Sequence, residues 1–321
     1  MIVTALTDLF GIEHPIVLGP MGGVSGGHLA ATVSNAGGLG LVGGGYGDAD
    51  WLRKELARVN EETQRPWGVG LITWSIASPG IVDLALGYRP DAFMLSFGDP
   101  RPYAPAIKAA GCKLICQVQG HDEARLACEA GADIIVAQGT EGGGHGGGRG
   151  TLPLVPALVD AVAPTPVVAA GGIADGRGLA AALMLGAQGA LIGTRFYATP
   201  EALGTQAAKQ RIVAARGHDT ARTRLFDIVR DYAWPSPYTG RALRNRFMER
   251  WSEREGDLAT VLDSERAAYW DADRAGDCDT AVVWASEAVD LIKSVESAAI
   301  LVARISAEAE AQLNRGAGLV R

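Results

Sequence analysis

Over the first two-thirds of the chain, short runs of β-branched and aliphatic residues alternate with longer amphipathic stretches, and Gly, Pro or Asp separates one from the next. Runs at 15–18, 39–42, 68–72, 92–95, 113–117, 133–137, 166–169 and 189–192 are apolar at successive positions. Both faces of such a strand must be covered, which is the pattern of a buried parallel sheet. The stretches at 28–36, 49–62, 79–86, 122–130, 154–162 and 176–185 carry helical patterning. Three of them end alike, in Asn35-Ala36-Gly37-Gly38, Glu129-Ala130-Gly131-Ala132-Asp133 and Leu185-Gly186-Ala187-Gln188-Gly189. A left-handed glycine closes each helix and a strand follows at once.

Eight strand–helix units predict an α/β fold of the TIM (β/α)8 barrel type, because parallel strands need crossover helices. A doubly wound open sheet competes with it. The richest glycine loops mostly follow strand C-termini, which favours the barrel. Beyond about Ala221 the rhythm breaks: 223–250 carries Asp231-Tyr232-Ala233-Trp234-Pro235-Ser236-Pro237 and several arginines, 251–274 is charged and helical, and 285–313 has the pattern of one long amphipathic helix. The expected organisation is a barrel over 1–221 and a smaller C-terminal helical domain, or cap, over 222–321, with the last helix packing back on the barrel.

Composition narrows the classes. The chain has 321 residues, 48% of them hydrophobic, enough for a barrel of about 250 residues with an appendage. A formal net charge of -7 leaves no general basic field, so neither nucleic acid nor an anionic membrane is an expected partner. No apolar run approaches the roughly 20 residues that span a bilayer. Cys112, Cys116, Cys128 and Cys278 form no Cys-x-x-Cys pair and suit a reducing compartment. The N-terminus lacks a signal-peptide pattern. The expectation is a soluble cytoplasmic protein with no bound metal, since no zinc or EF-hand spacing occurs; self-association is left open.

Three loops could carry chemistry. After the seventh and eighth strands come Gly171-Gly172-Ile173-Ala174-Asp175-Gly176 and Gly193-Thr194-Arg195-Phe196. Loops at these places commonly bind phosphate, with backbone N–H groups facing the anion and Thr194 able to add a hydroxyl. After strand six comes Gln138-Gly139-Thr140-Glu141-Gly142-Gly143-Gly144-His145-Gly146-Gly147-Gly148-Arg149-Gly150. Glycine this dense is not expected in a packed element. It places one imidazole at the catalytic end, where a general base works best with a pKa near neutral; an incidental histidine in a mobile loop is the plain alternative. Its Gly-Gly-Gly-Arg-Gly end looks like an RGG segment, which the acidic, unrepeated chain argues against. After strand one, Gly19-Pro20-Met21-Gly22-Gly23-Val24 suits close approach to a planar ring, or simply a turn with a core methionine. His28, near the catalytic rim, and His121, at a helix start after strand five, could each line a pocket. Gly38-Leu39-Gly40-Leu41-Val42-Gly43 fits G-x-G-x-x-G but enters a strand, so the dinucleotide reading fails.

Together these segments resemble the nitronate monooxygenase family, formerly called 2-nitropropane dioxygenases. The resemblance runs from Pro15 and the Gly19–Val24 loop through Ser34-Asn35-Ala36-Gly37-Gly38-Leu39-Gly40, the His145 loop and both phosphate loops. It continues to Thr239-Gly240-Arg241-Ala242 and Trp284-Ala285-Ser286-Glu287 with Leu291-Ile292. It implies non-covalent FMN and oxidation of alkyl nitronates or nitroalkanes by O2 to a carbonyl compound and nitrite. His145 would be the catalytic base. Met21, Gly22, Gln138 and Gly143 would contact the flavin, and Gly171, Gly172, Gly193 and Thr194 its phosphate. Gly70 stands where the family often has asparagine, so a flavin hydrogen bond would come from Gln117 or the Trp74 backbone. Gln117 and Gln119 would face the N1–C2=O edge, and Ser286 with His121 would border the substrate. The competing functions are an NAD(P)H-dependent enoyl-thioester reductase on a related flavin barrel, a flavin-free lyase or isomerase, and a non-catalytic scaffold.

Overall fold

The computed structural model describes residues 2–76 and 80–319. Eleven strands occur among them: β1 Ile16–Leu18, β2 Gly40–Gly43, β3 Trp67–Ile72, β4 Ala92–Ser96, β5 Lys113–Val118, β6 Ile134–Gln138, β7 Gly144–Gly146, β8 Val167–Ala170, β9 Ala190–Ile192, β10 Thr220–Thr223 and β11 Thr239–Leu243. Eight of them pair in parallel in the order β1-β9-β8-β6-β5-β4-β3-β2. Backbone bonds from Leu18 N–H to Leu39 and from Leu39 N–H to Ile16 close β1 onto the start of β2, so the sheet is a barrel. All eight lie within one residue of the runs expected from the hydrophobic pattern.

Alternation along each strand sorts two layers. Ala92, Met94, Ile134, Val136, Val168 and Ala170 point into the barrel and pack with Val17, Leu41 and Ile115. Their neighbours Phe93, Leu95, Ile135, Ala137, Val167 and Ala169 face the outer helices. Leu6 and Phe10 belong to the inner cluster, which puts the helix Ala5–Phe10 across the barrel's floor. That helix was absent from the expected set, as was Ala104–Ala109 between β4 and β5. Both have six residues, too few for a periodic signal. The helix expected at 79–86 is found as Gly80–Leu86, and its proposed first residue, Pro79, lies outside the described residues.

The helix after β9, Thr194–Tyr197, has only four residues. Its place in the outer ring is filled from far along the chain. The helix Ala298–Ala317 packs against Gly176–Met184, which follows β8, and Gly27–Asn35, which follows β1. Here the structure corrects the expectation of one helix over 285–313: Ser286 caps a 3-10 turn, Glu287–Leu291, and the α-helix starts only after Ser297.

The region between is not purely helical either. β10, β11 and β7 form an antiparallel sheet in the order β10-β11-β7, with helices Leu225–Arg230, Arg246–Trp251 and Leu262–Ala275 packed around Phe226, Phe247 and Tyr269. The expected boundary at 221 falls inside β10. Its third strand, β7, comes from the glycine loop after β6. That loop was expected to stay out of packed elements, and the structure corrects this: register pairs His145 with Gly240 and Gly146 with Thr239.

Candidate active site

At the C-terminal ends of the barrel strands lies a cavity of about 460 Å3, within the size range of small-ligand sites. Its walls bring together most of the residues singled out from the sequence: Met21, Gly22, Gly70, Gln117, Gln138, Gly143, His145, Gly171, Gly172, Gly193, Thr194 and Ser286. His121 is the correction. It heads the helix His121–Glu129 with its side chain in solvent and does not line the cavity. Gln119 also stays off the wall, buried behind Gln138.

His145 is held from three sides. Its Nε2 lies 2.8 Å from Asp227 Oδ1, both side chains being buried. The indole of Trp234 stacks on the imidazole, with centroids 3.4 Å apart and planes within 4°. Trp284 leans on it at 5.0 Å. Burial pulls the imidazole below its ordinary pKa of 6.5; the Asp227 bond opposes this, while the charges of Arg230 and Arg222 add to it. The ring is therefore neutral at pH 7. With Nε2 on the carboxylate, Nδ1 is the nitrogen left to take a proton.

The glycine loop is ordered by side chains from outside it. Gln138 Nε2 donates to the His145 carbonyl at 2.9 Å, while Gln138 Oε1 accepts from Gln119 at 2.6 Å and Gln117 at 3.2 Å. Gln138 thus spends its amide holding the loop. Arg222 donates to the carbonyls of Thr140, Gly146 and Thr239, and Arg241 to that of Thr140. Glu141, the loop's one carboxylate, accepts the N–H and hydroxyl of Thr151 and so caps the next helix. It does not line the cavity.

Close backbone approach explains the glycines of the opposite wall. A Cβ on Gly43 would sit 2.5 Å from the Met21 carbonyl, and one on Gly22 2.8 Å from Gly45. A Cβ on Gly70 would lie 2.4 Å from Pro20 Cγ. Pro20 occupies the space a longer side chain at position 70 would need. At the other end, Gly171 and Gly172 have φ of +98° and +74°, a backbone that L side chains rarely adopt. Thr194 Oγ1 accepts the Ser286 N–H at 3.0 Å and keeps its own proton to donate. The Ser286 hydroxyl is engaged with the Glu141 carbonyl at 2.7 Å. These walls fit a thin ligand with a planar middle and an anionic end.

Several residues of the site gave little warning. Asp227, behind His145 and off the cavity wall, sits in an ordinary-looking helix, and nothing in its neighbourhood marks it. Tyr232 and Trp234 lie in the proline-flanked aromatic segment that breaks the barrel rhythm, a signal of irregular structure more than of a site. Tyr46, Trp74, Phe97 and Tyr238 join them in an aromatic cluster, in which Trp234 Nε1 donates to the Tyr46 hydroxyl at 2.9 Å. Among the described residues no group of His, Cys, Asp and Glu could hold a metal ion, and no helix is long and apolar enough to cross a membrane.

A closed parallel barrel with its cavity at the C-terminal strand ends defines a TIM-barrel enzyme, the architecture in which that face carries the active site. More narrowly, the chain belongs to the nitronate monooxygenase family, which it matches over residues 3–77 and 75–308, a family of flavin-dependent oxidoreductases. It is 40% identical over 229 residues to a (3aS,4S,5R,7aS)-5-hydroxy-7a-methyl-1-oxo-octahydro-1H-indene-4-carboxyl-CoA dehydrogenase of Mycobacterium tuberculosis, a match covering 70% of this chain and 64% of that protein. The chain therefore spans less than two thirds of that relative's length. Among solved structures, FabK from Thermotoga maritima superposes with a TM-score of 0.89 at 32% identity, covering all of both chains. The nitroalkane oxidase from Streptomyces ansochromogenes superposes with a TM-score of 0.80 at 30% identity, covering 98% of this chain and 99% of that one.

Proposed function

We propose that this protein is an FMN-dependent oxidase of alkyl nitronates and nitroalkanes, acting with O2 to give a carbonyl compound and nitrite. The observation that carries this reading is His145: a buried neutral imidazole, oriented by Asp227 and stacked on Trp234, at the wall of a cavity shaped for a planar ligand. Family membership and the nitroalkane oxidase likeness support it. Gly171, Gly172, Gly193 and the Thr194 hydroxyl would hold the FMN phosphate, with Met21, Gly22 and Gly70 along the ring. When bound, the flavin supplies the electron acceptor, and its chemistry is its own. The protein's part is orientation and proton transfer. His145 Nδ1 takes the proton α to the nitro group, and the Asp227 carboxylate opposite stabilises the imidazolium that results. The stacked Trp234 keeps water from that face of the ring.

The first test is an absorbance spectrum of the purified protein, followed by propyl-2-nitronate under anaerobic conditions. Flavin bands that bleach on addition are expected. Bands that persist would remove nitronate oxidation while leaving flavin binding in place. A second reading, oxidoreduction of a coenzyme A thioester, is favoured by the carboxyl-CoA dehydrogenase relative. In the same cuvette it predicts bleaching by a CoA thioester, or by NADH if the enzyme is an enoyl-thioester reductase.

A further inference from the structure

Three residues beyond Asp227 on the same short helix stands Arg230, and this residue lines the cavity. Its guanidinium makes no hydrogen bond or ion pair among the described residues. Nε and Nη1 are sealed from solvent without a partner, and Nη2 is the nitrogen left open. Its contacts are aromatic faces: Tyr232 at 4.7 Å, with Tyr46 and Trp270 each at 5.9 Å. Tyr46 and Tyr232 stack on each other at 3.8 Å, which fixes the surface under the cation. Asp227 Oδ2 is also buried and unpartnered, yet forms no ion pair with Arg230. Other arginines of this region are committed to the fold: Arg222 and Arg241 to loop carbonyls, with Arg241 also paired to Glu287. Arg230 alone of these three is a permanent charge at the cavity wall with no anion beside it.

A cation desolvated on one side and held against aromatic rings is only partly compensated by those rings. A charge-assisted bond to a planar oxyanion would complete it, and a guanidinium matches that shape. We propose that Arg230 holds the anionic nitro oxygens of the nitronate, placing its α-carbon towards His145 and selecting the anion over neutral compounds of the same size. The inference deepens the nitronate reading and rests on it. The field of Arg230 reaches both His145 and Tyr46, as one shared pocket requires. A neutral nitroalkane would gain the contact only as its proton leaves, so Arg230 would favour the ionised product of that step.

The test compares the unaltered holoenzyme with Arg230→Gln, Arg230→Met and Arg230→Lys, each first checked for an unchanged melting temperature. Binding of benzoate, a planar two-oxygen anion, and of neutral benzamide is followed by tryptophan fluorescence, since Trp234 lines the cavity. Benzoate should bind at least about tenfold more weakly to the Gln and Met variants, while the Lys variant keeps part of the affinity and benzamide is indifferent to all three. In turnover, KM for propyl-2-nitronate should rise about tenfold in the Gln variant, with a smaller rise for neutral 2-nitropropane. Benzoate binding no tighter than benzamide to the unaltered protein, or equal KM changes for the two nitro compounds, would overturn the proposal. Should the Gln variant misfold, the Met variant decides by the same criteria. The titration needs no turnover, so its failure is separable from an absence of nitronate oxidation.

Discussion

Burial and the Asp227 bond act on His145 in opposite directions, and burial is the larger effect. The folded imidazole refuses a proton that the unfolded chain accepts at its ordinary value of 6.5. Below that pH the unfolded state binds more protons, so this site lowers stability progressively as pH falls from about 6.5. At neutral pH the base is already free. The acid limb of kcat/KM for a nitroalkane is therefore expected below 6.5. Asp227→Asn removes the influence that raises the pKa, so the limb should move to still lower pH. The plateau should drop by about tenfold or more, because the base is weaker and its tautomer is no longer fixed. A full pH profile of both proteins checks this; a limb that moves upward would show that Asp227 does not govern His145. Replacing the base itself, His145→Gln, should cost about 10²- to 10⁴-fold on a neutral nitroalkane. It should cost much less on a nitronate, whose proton is already gone.

The element that makes this residue useful is β7, a strand with hardly any side chains of its own that pairs with β11 while Arg222 donates to its Gly146 carbonyl and Arg241 to Thr140 ahead of it. Arg222 remains charged at neutral pH although burial lowers its pKa to about 10. Arg222→Met should remove the guanidinium donors of the Gly146 and Thr239 carbonyls and leave Thr140 with Arg241 alone. The expected loss is about 2–4 kcal/mol of unfolding free energy, with faster release of bound flavin, checked by denaturant titration and by flavin fluorescence on dilution. A stability change under 0.5 kcal/mol would mean the loop holds without the clamp. The same contrast shows what could be read ahead of the structure. The barrel strands were legible because a run such as Ile134-Ile135-Val136-Ala137 must be covered on both faces. The phosphate loops were legible because Gly171-Gly172 and Gly193-Thr194 follow such runs directly. β7 was not, since its partner strand lies about 95 residues away and pairing of Gly144–Gly146 leaves no hydrophobic trace. Asp227, Arg230 and Trp234 were missed for the same reason: they reach the barrel mouth through long-range packing of the inserted segment.

On the scale of the molecule, that inserted segment separates the eighth barrel strand from the helix that completes the ring. Ala298, Leu301, Val302 and Ile305 of the last helix are fully or almost fully buried, and Glu308 Oε2 accepts the Gly176 N–H at 3.0 Å. Gly176 starts the helix that follows the Gly171-Gly172 loop, and a Cβ there would lie 2.2 Å from Glu308 Cβ. The C-terminal helix is thus part of the wall behind the proposed phosphate site, even though the chain reaches it last. Ending the chain after Ser297 would strip cover from Leu179, Ala180 and their neighbours, and each lost aliphatic side chain is worth roughly 1.5–3 kcal/mol of burial. A few of these are comparable to the entire stability of an ordinary domain, so the shortened chain should be insoluble or unfolded. Ending it after Leu313 removes a final turn whose described residues, 314–319, are exposed. That protein should remain folded, melt within a few degrees of the full chain and retain flavin. Circular dichroism melts and flavin absorbance of the two truncations distinguish the cases. If the chain ending at Ser297 folds and holds flavin as well as the other, the last helix covers the barrel without completing it.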